Sequence, residues 1–259
     1  MQFVDTHAHL YLNHFDNDRE ETVKKAILKN VNQIILPNID SSTIQSVKRM
    51  SGHFPSNIFP LMGLHPVSVK KAYEDELKII SDELETGHYY AIGESGIDLY
   101  HDRSFLEEQK KAFIYQTELA IKFNLPIIIH ARESFGEIFE ILDNYKDQPL
   151  TGIFHAFTGT VDQAKRIIYE YGFFIGIGGI VTFKNAGLDN VVKEISLEHM
   201  VIETDAPFLA PVPYRGKRNE SCYIVYIAEK IAQIKKISIN DVADITTRNA
   251  MQIFALPFP

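Results

Sequence analysis

Phe3-Val4-Asp5-Thr6-His7-Ala8-His9-Leu10 begins the chain with an apolar pair followed by two histidines spaced by two. Successive side chains of a strand point to opposite faces, so His7 and His9 share one face, about 6.6 Å apart along the strand. Two imidazoles placed this way can close on one metal ion, each binding at about 2 Å. The stretch also speaks to topology. An open doubly wound sheet usually carries a glycine-rich phosphate loop after its first strand, and here His-Ala-His stands in that place.

Working outward, short β-rich apolar runs recur at even intervals: Phe3–Asp5, Gln33–Leu36, Ile58–Met62, Tyr89–Gly93, Pro126–Ile129, Thr151–Phe154, Phe173–Ile177 and Met200–Glu203. Amphipathic segments lie between them. Leu77, Ile80 and Leu84 share one helical face, and Leu106, Phe113, Gln116 and Ala120 share another. Ser104/Glu107, Ser134/Glu137 and Thr160/Gln163 have the spacing of capping boxes, and Asp16 or Asp18 is placed to cap the helix holding Val23, Ala26 and Ile27. Eight strands alternating with helices predict an α/β fold, a single (β/α)₈ TIM barrel spanning 1–259 with its site at the C-terminal ends of the strands. The Pro-rich piece Ala206–Pro213 reads as a shaped loop rather than a domain boundary.

Composition agrees with one large domain, since 259 residues with 45% apolar content can bury roughly three quarters of their surface. A single cysteine, Cys222, excludes an intramolecular disulfide and suits a reducing compartment. No secretory signal or membrane helix is legible, so a cytoplasmic location is expected, with no membrane association and no obligate protein partner. A formal charge of −8 argues against a protein that coats nucleic acid electrostatically. It leaves room for a nuclease, because acidic metal ligands count as negative until the cations are bound.

Ionisable residues gather at the predicted strand ends. His7 and His9 follow the first strand, His65 the third, Glu94 the fourth, His130 the fifth, His155 the sixth and Asp205 the eighth. Of ten histidines five fall at this edge, whereas His14, His53, His88, His101 and His199 are expected in solvated loops or helices. A single histidine at the end of an apolar strand is more often a structural residue than a ligand, and Glu94 or Asp205 alone could cap the helix or turn that follows it. One shared site accounts for all of them together. Four imidazoles and two carboxylates exceed what one catalytic ion needs, and they suit two ions about 3.5–4 Å apart bridged by a carboxylate. Glu94 is placed to bridge, with His7, His9 and Asp205 on one side and His130 and His155 on the other.

Asp-Thr-His-Ala-His-Leu, Gly-Leu-His-Pro, Gly-Glu-Ser-Gly-Ile-Asp, Ile-Ile-His-Ala-Arg, Phe-His-Ala-Phe-Thr-Gly, Glu-Thr-Asp-Ala-Pro and Tyr-Arg-Gly-Lys-Arg-Asn-Glu together resemble the TatD-type deoxyribonucleases of the amidohydrolase superfamily. The resemblance runs from residue 3 to the final helix. Its most specific parts are the Gly-Glu-Ser-Gly-Ile-Asp and Glu-Thr-Asp-Ala-Pro stretches. It implies metal ligation by His7, His9, Glu94, His130, His155 and Asp205, and hydrolysis of DNA phosphodiesters, usually as an exonuclease and commonly with magnesium. Two positions depart from the family pattern. Val67 stands where a second histidine often follows Gly-Leu-His-Pro, and Ser221 replaces the proline of Asn-Glu-Pro.

The expected chemistry is attack by water activated between two divalent cations, with Asp205 accepting the proton and Glu94 bridging. His65 is placed to hydrogen-bond a phosphate oxygen or the leaving group, or else to hold its own loop. Arg215, Lys217 and Arg218 are candidates for clamping flanking phosphates of a single strand or a DNA end. Tyr100 and Phe157 are candidates for stacking on bases, or else for packing their own loops. Imidazole-rich ligation suits zinc, manganese or nickel, whereas the resemblance favours magnesium. Two alternatives share the scaffold: hydrolysis of a small amide, lactone or phosphotriester, and a barrel that binds metal or a partner without turnover. Relatives of the first kind often bridge their metals through a carboxylated lysine, and strand four supplies Glu94 instead.

Overall fold

The computed structural model describes residues 1–257, so the final two residues of the expected 1–259 unit lie outside the described residues. Eight strands alternate with helices: β1 (Phe3–Asp5), β2 (Val31–Leu36), β3 (Ile58–Pro60), β4 (Ile92–Asp98), β5 (Ile127–Arg132), β6 (Gly152–Phe154), β7 (Phe174–Ile177) and β8 (Met200–Ile202). The helices are α1 (Arg19–Leu28), α2 (Ile44–His53), α3 (Tyr73–Thr86), α4 (Leu106–Phe123), α5 (Phe135–Leu142), α6 (Val161–Tyr171), α7 (Leu188–Glu194), α8 (Ile224–Lys235) and α9 (Ile239–Phe254). All strand pairs are parallel, in two ladders ordered β1-β2-β3 and β4-β5-β6-β7-β8. Shorter contacts span the two seams. Met62 and Ile92 form a single bridge between β3 and β4, and Ala8 and Ala206 form another beyond β1 and β8. At the second seam the Thr6 N–H donates to the Ile202 carbonyl (3.2 Å) and the Asp205 N–H to the His7 carbonyl (2.8 Å). The architecture is an α/β barrel. Among the described residues no helix is long and apolar enough to cross a membrane.

Alternation along the strands builds two apolar layers. Val4, Ile35, Phe59, Ile128, Ile153 and Val201 pack together inside, and Phe254 and Leu256 join them from the end of α9. Their neighbours, such as Ile34, Ile127, Ile129 and Ile202, pack outward with the helices. One inward step of two residues then carries Ile128 to His130, Ile153 to His155 and Val201 to Glu203, with Asp205 in the turn two residues further on. β4 needs a further device. It pairs Ile92 with Ile127 but Ser95 with Ile129, so one extra residue sits in this strand, and such a bulge re-aims the side chains around it. Gly96 follows at φ +145°, where any Cβ would overlap the His130 carbonyl.

The fourth strand corrects its expected position. It starts at Ile92 rather than Tyr89, and Glu94 lies within it. The apolar run Tyr89–Ile92 mostly precedes the ladder, while the glycine-rich, polar stretch that resembles a loop forms the pairing. The helix starts also differ in part. Thr160 and Gln163 form the expected capping box of α6, and Ser238 with Asp241 forms one on α9 that the spacing rule had not singled out. Ser134 donates instead to the Ile97 carbonyl (2.6 Å), and Phe105, not Ser104, precedes α4. Asp18 occupies the cap position of α1 but spends its carboxylate on Arg218, at 2.6 and 2.7 Å. A bidentate charged pair outcompetes a single bond to a neutral backbone N–H.

Asp5, fully buried, ties the β1–β8 seam by accepting from the Thr204 N–H (2.9 Å) and hydroxyl (2.6 Å). Burial pushes its carboxyl up to about 7, with the bonds from Thr204 and the His7 N–H pulling the other way. A carboxyl raised in the folded state favours the protonated fold, so its contribution is complete at pH values below about 4 and is lost as pH rises through about 7. Denaturant unfolding of the metal-free protein between pH 4 and 8 should therefore show a flatter stability profile for Asp5→Asn than for the parent chain. Parallel profiles would assign the titration elsewhere.

Candidate metal centre

Seven side chains from six strands and the turns that follow them meet at the mouth of the barrel, around Glu94, with Glu94 and His130 inside their strands. One of its oxygens, Oε2, faces His7 Nε2 at 3.1 Å and His9 Nε2 at 3.7 Å, and those two nitrogens are 3.2 Å apart. Asp205 Oδ1 completes this group at 3.6 Å from His9 and 3.9 Å from His7. The other oxygen, Oε1, faces His155 Nε2 at 2.6 Å and His130 Nδ1 at 2.7 Å, and these nitrogens are also 3.2 Å apart. His65 Nε2 approaches the same oxygen at 3.3 Å. One carboxylate is thus shared by two sets of imidazoles, as the strand-end reading expects.

The remaining ring nitrogens reveal which atoms are free to ligate. His130 Nε2 lies 3.0 Å from Asp98 Oδ2, so Asp98 holds a proton on that nitrogen, and Nδ1, 2.7 Å from Glu94, is the atom a cation would take by displacing the proton shared there. His9 Nδ1 lies 2.9 Å from the Tyr11 hydroxyl, whose own proton goes to the Pro37 carbonyl (2.8 Å). The hydroxyl must then accept from His9, which leaves His9 Nε2 unprotonated. His65 is arranged the other way round. Its Nδ1 accepts from the Val67 N–H at 3.0 Å, so the neutral ring carries its proton on Nε2. His65 is accordingly a hydrogen-bond donor at the edge of the site, and its Nδ1 also holds the loop.

Asp98, Tyr11 and Glu203 are functional neighbours that the strand-end search did not single out. Asp98 ends the Gly-Glu-Ser-Gly-Ile-Asp stretch four residues beyond Glu94, and Tyr11 continues the period-two spacing of His7 and His9. His101 is exposed, as expected, and bonds through Nδ1 to Asp98 at 2.8 Å.

Burial alone would raise the Glu94 carboxyl, but His155, His65 and His7 hold it well below the usual carboxylate range. Burial likewise opposes the charged form of His155, yet Glu94 and Glu203 hold that imidazole well above the usual histidine value. His130 is raised against its own burial by Asp98 and Glu94, while burial prevails at His7 and His65 and lowers both. The centre is therefore a buried anion ringed by bases. Its donor set fits divalent cations. A cation 2.0–2.1 Å from two tetrahedral ligand atoms holds them about 3.3 Å apart, which is the spacing found between the paired nitrogens. Without a proton or a cation between them, two nitrogen lone pairs at 3.2 Å repel. Side-chain exposure then marks the open side, since Asp205, His130 and His65 are 15–16% exposed while Glu94 and His7 are at 2% and 0%.

The other expected contacts divide. Arg215 and Lys217 are exposed on the loop after β8. Arg218 is not free, because Asp18 and Glu220 (3.0 Å) take both its terminal nitrogens and its guanidinium covers Phe15. Tyr100 is 59% exposed, with the Arg132 guanidinium 4.2 Å from its ring centre. Phe157 is buried at 2% against Phe135, which corrects its reading as a base-stacking ring. Val67 serves the His65 turn through its backbone, and buried Ser221 opens the short helical turn Ser221–Tyr223 without a proline.

A parallel α/β barrel with histidines and carboxylates gathered at the strand ends defines a metal-dependent hydrolase. The family model described as TatD related DNase matches residues 4–255, and the chain belongs to that family. The Bacillus subtilis metal-dependent hydrolase YabD is 39% identical over 253 residues, covering 97% of this chain and 98% of that protein. The Escherichia coli metal-dependent hydrolase YcfH is 29% identical over 260 residues, covering 98% and 96%. Among solved structures, the Escherichia coli TatD homologue YjjV superposes with a TM-score of 0.92 at 26% identity, covering 98% of each chain.

Because Asp98 stands behind His130 and behind no other histidine gathered around Glu94, Asp98→Asn should weaken cation binding about 10–100-fold on the His130 side and leave the His9 side near its parent value. Competition with a chromophoric chelator reads both affinities. An equal loss on both sides would overturn the one-to-one pairing of Asp98 with His130. Proton displacement from the raised His130 and His155 should also make affinity rise with pH.

Proposed function

We propose that this chain hydrolyses DNA phosphodiester bonds, working from single-stranded segments or DNA ends, with two divalent cations per chain drawn from magnesium, zinc, manganese and nickel. The observation that carries the reading is the division of Glu94, whose two oxygens face two separate imidazole pairs. His7, His9 and Asp205 would hold one cation, His130 and His155 the other, and Glu94 both. When bound, the cations supply Lewis-acid polarisation of the phosphoryl group and acidify water.

The protein's own residues divide the remaining work. Asp205, partly exposed at the mouth, accepts a proton from the attacking water at its carboxylate. His65 turns its Nε2–H toward a phosphate oxygen or the departing oxygen. Arg215 and Lys217 offer positive charge to flanking phosphates, whereas Arg218 serves the fold. Tyr100 at 59% exposure and Phe208 at 45%, the latter 6.1 Å from the His9 ring, offer faces on which unpaired bases can stack. Such platforms favour a single strand over a small, enclosed substrate. The family name, TatD related DNase, supports the same choice.

Purified protein should release nucleotides from single-stranded DNA with magnesium or manganese, and chelation should abolish the activity. Asp205→Asn should lower kcat by about 10²–10⁴-fold while the fold persists, and Glu94→Ala should remove activity with loss of both cations. Retained activity in Glu94→Ala would sink the bridging role. Activity on a small ester or amide, with none on DNA, would replace the nuclease reading. Lys217→Ala should reduce the slope of log affinity against log salt by about one phosphate contact, and an unchanged slope would remove Lys217 from the DNA path.

A further inference from the structure

Three buried polar atoms near the centre have no hydrogen-bond partner: His7 Nδ1, His155 Nδ1 and Glu203 Oε2. They belong together. The His7 and His155 rings stack at a centroid distance of 3.9 Å and an interplanar angle of 10°, and both turn Nε2 toward Glu94. Each Nδ1 therefore points away from Glu94, to the rear. There His155 Nδ1 lies 3.6 Å from Glu203 Oε1, and His7, His155 and Glu203 can present ligating atoms all within 4.8 Å of one another.

Glu203 itself is fully buried, and its ion-pair partner among the described residues is His155 alone. The Ala156 N–H donates to Oε1, and Gly176 makes room, since a Cβ there would overlap Oε2. A carboxylate is costly to bury without donors, and the two Nδ1–H groups are the donors at hand. At His155 the 3.6 Å gap is too short for a bridging water, whose two bonds together span about 5.5 Å, so direct donation needs only a small closing movement, whereas His7 approaches Glu203 only within 4.8 Å and has farther to close.

We propose that Glu203 is a positioning residue for both halves of the metal centre, accepting the Nδ1–H of His7 and of His155 and thereby holding both Nε2 lone pairs toward the cations. His9 and His130 each have a separate rear partner, Tyr11 and Asp98. Glu203 instead serves one imidazole of each pair, and so couples the two cation positions. The proposal rests on the metal reading of the centre and not on the identity of the substrate.

The test uses the full chain loaded with zinc, without DNA. Glu203→Gln keeps the shape and the Ala156 contact but removes the charge. Its zinc affinity, read by chelator competition, should fall about 10–100-fold at both positions, with Glu203→Asp recovering part of the loss. In the parent protein, ¹⁵N-edited NMR should show His7 and His155 Nδ1 protons that lie far downfield and exchange slowly, and both should move upfield together in Glu203→Gln. Weakening of only one position, unchanged affinities, or Nδ1 protons without the carboxylate shift would overturn the proposal. So would a third zinc per chain lost in Glu203→Gln, since the trio would then be a ligand set of its own. If Glu203→Gln does not fold, the parent spectrum alone decides. Failure to cut DNA changes none of these readings, so the nuclease assignment and the role of Glu203 fail independently.

Discussion

Lone pairs that face each other across 3.2 Å are the constraint on which the mouth of this barrel depends. Two such imidazole contacts flank one carboxylate whose two oxygens are both engaged. Neutral nitrogens cannot satisfy one another in that arrangement. A proton or a cation must lie in each group, and Glu94 supplies the negative charge that draws it there. The fold can hold these groups so close because each is mounted on a strand of a packed barrel rather than on a free loop, and the energetic conflict is confined to a place where a cation relieves it.

Behind that first ring of atoms is a second requirement, that each ligating histidine keep its proton on the far nitrogen. Tyr11 does this for His9 by passing its own proton to the Pro37 carbonyl, and Asp98 does it for His130. His65 is held in the opposite state by the Val67 N–H, which makes its Nε2, 3.3 Å from Glu94, a donor. Ligand and donor histidines thus differ in what stands behind them, although all five lie at strand ends. The same principle, applied to the unpartnered rear atoms of His7 and His155, leads to Glu203.

Charge placement follows a related logic on the rim. Arg215, Gly216, Lys217 and Arg218 are adjacent in the chain, yet Arg218 is recruited by Asp18 and Glu220 to pin the loop to the start of α1. The cost is a capping bond that Asp18 no longer makes, and the return is a fixed course for the loop that carries Arg215 and Lys217. Four neighbouring residues therefore divide between holding the loop and facing solvent.

Much was legible in the chain itself. Apolar runs bounded by amphipathic segments determined the strand and helix order, because burial of one face has a period that the residues display. The polar residues at the ends of those runs named the six ligand candidates, since an ionisable group terminating an apolar strand needs a partner. Tertiary structure decided the rest. Only the bulge in β4 aims Glu94 at both histidine pairs, and a register shift leaves no mark in hydrophobic periodicity. Only the packing shows Phe157 buried and Arg218 committed, because the outlook of a side chain depends on neighbours up to 200 residues away. Tautomers were the least legible of all. They are set by what stands behind each ring, by a tyrosine, a backbone N–H or a carboxylate, and that is a property of position in space rather than of order along the chain.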